Sequence, residues 1–108
     1  MTWQAICDLE QIIPGTGVCA LVNGQQVALF RPCANGEVFA LSNIDPFAQA
    51  SVLSRGLIGE QEGAWYVASP LKKQRFLLAT GQCLEDDSVQ LPVFKTKVED
   101  QTIFAQSN

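Results

Sequence analysis

Histidine is absent from the 108 residues, and that absence removes a whole range of chemistry. It is the side chain whose ordinary pKa lies nearest neutrality. Without it, Ser-His-Asp and Cys-His nucleophile systems are excluded, as are metal centres with imidazole ligands. Cys7, Cys19, Cys33 and Cys83 are scattered, with no C-x-x-C pair. There is no phosphate-binding G-x-x-x-x-G-K-[ST] loop and no G-x-G-x-x-G fingerprint; Gly15-Thr16-Gly17 alone reads as a turn into a strand. No apolar run approaches the roughly 20 residues of a membrane helix. The opening Met1-Thr2-Trp3-Gln4 has neither a basic segment nor an apolar one behind it, so no secretory leader is expected. Four thiols in such a chain read as reduced and structural, in a cytoplasmic protein. Basic residues are also few: seven Lys and Arg against eleven Asp and Glu give a net charge of −4. That weighs against a nucleic-acid partner, which demands a basic face.

What is present is strand-like. A hydrophobic fraction of 47% in a chain of this length predicts one domain, 1–108, with enough core to need no disulfide or metal. Residues 3–9 read as an opening strand, with Trp3, Ala5 and Cys7 on one face and Gln4, Ile6 and Asp8 on the other. Pro14-Gly15 ends the connection that follows. Two strand-like runs, 17–22 and 25–31, flank Asn23-Gly24, the dipeptide best suited to the paired positive φ values of a hairpin turn. Residues 37–42 supply a third strand, making a meander. From 43 to 61 the chain reads mostly as loop, with one helical turn at 48–50. Strands follow at 64–68 and 75–79. The acidic run Glu85-Asp86-Asp87 reads as a solvated connector. Residues 93–98 and 102–105 return as a closing hairpin to the sheet begun at the N-terminus.

The chain is organised around two short segments at the ends of strand-like runs, Asp45-Pro46-Phe47 and Ser69-Pro70-Leu71-Lys72. Their spacing resembles the Cys-Pro-His and Cys-Pro-Leu-His of the Rieske domain, whose [2Fe–2S] centre takes two cysteines and two histidines. The cysteine positions fall on Asp45 and Ser69, the histidine positions on Phe47 and Lys72. Residues 53–59 add a leucine, polar, x, glycine step of the same kind. The resemblance implies an all-β, Rieske-like antiparallel β-sandwich of small sheets, with a cluster-binding-like subdomain at about 43–81 inserted in it. No ligand set remains, so no metal and no cluster are expected. Pro46 and Pro70, which fix φ near −65°, would stiffen the loops, and Phe47 would fill the space near a cluster's place. Asp45 is the one carboxylate in a suggestive position, and holding the loop through backbone N–H groups suits an Asp before Pro better than acid–base work. No catalytic residue is assigned.

The runs 15–22, 43–47, 52–56, 68–76 and 80–86 together resemble the small subunit of assimilatory NAD(P)H-dependent nitrite reductases, over essentially the whole chain. The resemblance implies a cytoplasmic, non-catalytic subunit that binds a large subunit carrying FAD, an iron–sulfur cluster and sirohaem, which reduces nitrite to ammonium. Four of the seven basic residues, Arg55, Lys72, Lys73 and Arg75, lie in or beside the two loops and form a candidate docking face. The alternatives from other classes are a Rieske ferredoxin-like electron-transfer or interaction module, and a thiol-based redox protein using Cys19, Cys33 or Cys83. The first would need the missing ligands. The second would need exposed thiols of depressed pKa.

Overall fold

The computed structural model describes residues 3–106. Eleven strands run in chain order: β1 Trp3–Asp8, β2 Thr16–Val22, β3 Gln25–Arg31, β4 Phe39–Ser42, β5 Ile44–Asp45, β6 Ala50–Ser51, β7 Leu57–Gln61, β8 Ala64–Ala68, β9 Arg75–Leu77, β10 Val93–Glu99 and β11 Thr102–Gln106. Short 3-10 turns occupy Leu9–Gln11 and Leu53–Arg55. Every strand pairing is antiparallel. The strands form a six-stranded sheet in the order β1-β11-β10-β4-β3-β2, a two-stranded hairpin β5-β6, and a three-stranded sheet β7-β8-β9. The closing hairpin does return to the first strand, with Trp3 opposite Gln106.

β3 explains the layering. Val27, Ala28, Leu29 and Phe30 are all fully buried, although a strand sends successive side chains to opposite faces. Val27 and Leu29 enter one core, with Leu9, Ile12, Val38 and Ile103. Ala28 and Phe30 enter a second, with Leu53, Val67, Phe76 and Leu78. β4 repeats the division, with Ala40 in the first core and Leu41 in the second. The six-stranded sheet therefore wraps one core and presents its other face to the residues of the small sheet. Its outer strands are drawn together by Gln4, whose amide donates to the Leu21 carbonyl at 3.2 Å and accepts from Asn23 N–H at 3.1 Å.

Asn23 and Gly24 take φ of 51° and 81°, the paired positive values that the dipeptide predicts. Other expectations need correction. The opening strand does not alternate as expected, because its register with β11 shifts between Ala5 and Cys7. Ile6 and Cys7 consequently both pack against the first core, and Ala5 is exposed. Residues 48–50 form no helical turn: Gln49 has φ of 52° and closes the β5-β6 hairpin. The stretch 43–61 is not mostly loop, since β7 lies within it and pairs along its whole length with β8. The acidic run is only partly a solvated connector. Glu85 bonds to Arg75, and Asp86 accepts from the Ser88 hydroxyl at 2.6 Å and its N–H at 3.0 Å.

Candidate functional site

Asp45 ends β5, and Ser69 follows the last residue of β8. Twenty-four residues apart in sequence, they meet: the Ser69 hydroxyl donates to Asp45 Oδ2. Both residues are buried, Asp45 completely and Ser69 to 2% exposure. The other carboxylate oxygen, Oδ1, accepts the Phe47 N–H at 2.8 Å and the Ala48 N–H at 3.2 Å. An Asp side chain bonding backbone two and three residues on is a standard way to hold a turn. Gln49 N–H closes the same turn on the Asp45 carbonyl at 2.7 Å. In the second loop, Ser69 N–H donates to Gln74 O at 2.9 Å, and Lys73 N–H donates to Ser69 O at 3.1 Å. Leu71 N–H reaches Ser69 Oγ at 3.3 Å. Each loop is thus fixed by its own backbone, and the two are fixed to each other by one side-chain bond.

Asn43, which sequence reasoning passed over, roots the first loop. It is buried, takes the Ser54 N–H on Oδ1 at 2.7 Å, and takes the Leu53 N–H on its carbonyl at 3.0 Å. Its own N–H donates to Gln26 O at 3.1 Å. An Asn directly after a strand and before a D-P turn was the available signal. Gly56 holds the two halves close, since a Cβ there would meet the Ala68 carbonyl and the Val67 side chain.

The four positions do not fit a [2Fe–2S] centre. Such a centre needs thiolates on one iron and imidazoles on the other. Here one cysteine position is a carboxylate whose two oxygens already take three donors, and the other is the hydroxyl supplying one of them. Phe47 is half-buried and lies tilted against Phe76, ring centroids 6.2 Å apart. Lys72 is exposed. Among the described residues no group of three or more Cys, Asp or Glu side chains is placed to hold a metal ion.

The four basic residues of the candidate face divide. Arg75 is committed within the fold: Nε donates to Glu85 Oε2 at 2.6 Å, Nη1 donates to Gln61 Oε1 at 2.7 Å, and its guanidinium lies 5.6 Å from the Tyr66 ring centroid. Its N–H also donates to Glu85 Oε1 at 2.8 Å. The bond to Glu85 raises the Arg75 pKa further. Partial burial works to raise that of Glu85, but the bonds from the Arg75 backbone and guanidinium outweigh it and hold the carboxyl below its ordinary value. Arg55, Lys72 and Lys73 are exposed and form no ion pair among the described residues. Beside them stand two side chains that charge alone could not reveal, Leu57 at 78% and Leu71 at 55% exposure. A separate cleft of about 430 Å³ is lined by Gln25, Gln26, Ser42, Ile44, Ser51 and Phe94 among others, with no titratable side chain. Of the thiols, Cys83 is buried and Cys19 exposed. Burial, and then the neighbouring Asp8, raise the Cys7 pKa, the opposite of what activates a thiol.

Residues 2–106 match the family described as the Rieske-like [2Fe-2S] domain. The chain is 56% identical over 101 residues to the nitrite reductase (NADH) small subunit of Salmonella typhimurium, covering 94% of each chain. It superposes with a TM-score of 0.90 and 51% identity on the solution structure of the Escherichia coli protein NirD, covering 96% of this chain and 94% of that one. It is also 40% identical to a stretch of the Klebsiella oxytoca nitrite reductase [NAD(P)H] large subunit, covering 94% of this chain but 10% of that longer one. With the Rieske frame built around an Asp–Ser bond, these likenesses place the chain in the Rieske-like domain family, among the small subunits of NADH nitrite reductase.

Proposed function

We propose that this chain is the non-catalytic small subunit of a cytoplasmic NAD(P)H-dependent nitrite reductase, and that it carries no iron–sulfur cluster of its own. It binds the large subunit, whose FAD, iron–sulfur cluster and sirohaem take electrons from NAD(P)H to nitrite and yield ammonium. The observation that carries this reading is the Asp45–Ser69 bond. Where an electron-carrying relative would hold metal, this chain spends its buried polar groups on fastening two loops. A rigid, redox-silent surface suits a subunit that acts by binding. The test is NADH oxidation by nitrite, catalysed by the purified large subunit with and without the chain. A saturable rise in rate with added chain is expected, from protein that is colourless and free of iron. No rise at any concentration, or iron bound in stoichiometric amount, would overturn the reading.

A further inference from the structure

We propose that the loop end of the three-stranded sheet is the surface that docks on the large subunit, through Leu57 and Leu71 ringed by Arg55, Lys72 and Lys73. The surface that receives it is an apolar depression edged by carboxylates. This inference rests on the reading above and adds the interface to it.

The register brings the parts together. Leu57 pairs with Ala68, and Ala68 pairs with Arg75, so the start of β7, the end of β8 and the start of β9 share one end of the sheet. The turn carrying Leu71, Lys72 and Lys73 joins β8 to β9 at that end, and Arg55 lies two residues before Leu57. Leu57 is the more exposed of the two leucines at 78%, at the start of β7, the edge strand of the small sheet. Exposed apolar side chains in a cationic rim are an arrangement of interfaces rather than of solvated loops.

Charge narrows the partner. The chain as a whole is at −4, yet three cations stand here without an ion pair among the described residues. The acid within the loops, Asp45, is buried and fully bonded, and Glu85 is taken by Arg75. A second copy meeting this face by two-fold symmetry would set like charges against each other. A carboxylate-edged surface on a different protein is the complement. The backbone of the turn is fixed before association: Lys73 holds φ of 66° and its N–H is bonded to Ser69 O.

The experiment is titration calorimetry of the full chain against the purified large subunit, together with the nitrite-dependent rate. The wild type is compared with Leu57→Ser/Leu71→Ser, Lys72→Glu/Lys73→Glu, and Leu21→Ser, an exposed leucine on β2 at 62%. Thermal melts confirm that each variant folds. Both double variants should raise Kd by about tenfold or more. The charge-reversed one should also lose the salt dependence of wild-type binding, and both should approach the wild-type rate at saturation. Leu21→Ser should match the wild type. Double variants that bind as tightly as a binding wild type would overturn the interface and leave the function standing. A Leu21→Ser loss of equal size would overturn it too, as would a wild-type homodimer that Leu57→Ser/Leu71→Ser converts to monomer. A wild type that neither binds nor activates would remove the function, and the interface with it.

Discussion

Ser69 supplies one hydroxyl to a carboxylate with no solvent-exposed surface. Burying a polar group is tolerated when hydrogen bonds replace its solvation, and Asp45 has three donors, two of them backbone N–H groups two and three residues on. Removing the serine donor strands Oδ2. Ser69→Ala should therefore lower the unfolding free energy by about 1–3 kcal/mol, read from urea denaturation. Asp45→Ala should cost more, because three donors lose their acceptor together. A Ser69→Ala chain as stable as the wild type would show that the bond does not fasten the loops. The sequence marks both positions, through the prolines after them. It cannot show that they bond to each other, since no local rule links residues 24 apart. The bond that ties Arg75 to Glu85 is hidden from the sequence for a similar reason. A lone Arg beside two lysines reads as surface charge, and the partner that absorbs it, Glu85, stands ten residues on, across the edge of the small sheet.

At the scale of elements, turns were easier to read than the strands they join. Asn23-Gly24 announces its hairpin, whereas Asp100-Gln101 makes an equally tight one, with φ of 50° and 68°, from residues that give weaker notice. β7 was missed because Leu57-Ile58-Gly59-Glu60-Gln61 neither alternates nor avoids glycine. Gly59 is there for space: a Cβ would strike the Tyr66 hydroxyl and ring across the β7-β8 pair. The two loops depend on one more contact between elements, the Phe47 ring against Phe76 of β9. Phe47→Ala should speed amide hydrogen exchange at 47–49 and at 69 and 71–74 together, leaving the β2-β3 hairpin unchanged. Its stability cost should fall below the roughly 3–5 kcal/mol of a fully buried phenylalanine, because Phe47 is only half-buried. Unaltered exchange in both loops would mean that the ring is not what couples them.

The whole molecule is two cores sharing one wall, and its dependence on pH follows from how the second core is closed. Arg75 and Glu85 clasp β9 to the segment that runs back toward Leu91 and β10. Glu85 has a depressed pKa in the fold. Its contribution is thus complete above the unfolded carboxyl value, about 4.3, and is lost as pH falls through the lower folded value. Asp86, lowered by the hydroxyl and then the N–H of Ser88, works in the same direction. Melting temperature should decline on acidification, and the gap between wild type and Glu85→Gln should narrow below about pH 4. A gap that is constant with pH would show that the ionised carboxylate is not what the clasp uses.

The pairing of β1 with β11 has one more consequence. With Trp3 opposite Gln106, the two ends of the described chain lie about 5 Å apart, one strand spacing. A unit with such ends can be spliced to another polypeptide, or set within one, without the host having to stretch across it. The Klebsiella chain, of which this sequence matches about a tenth, is an outcome that this geometry permits. The domain is a cassette whose seam lies at a single place on its surface.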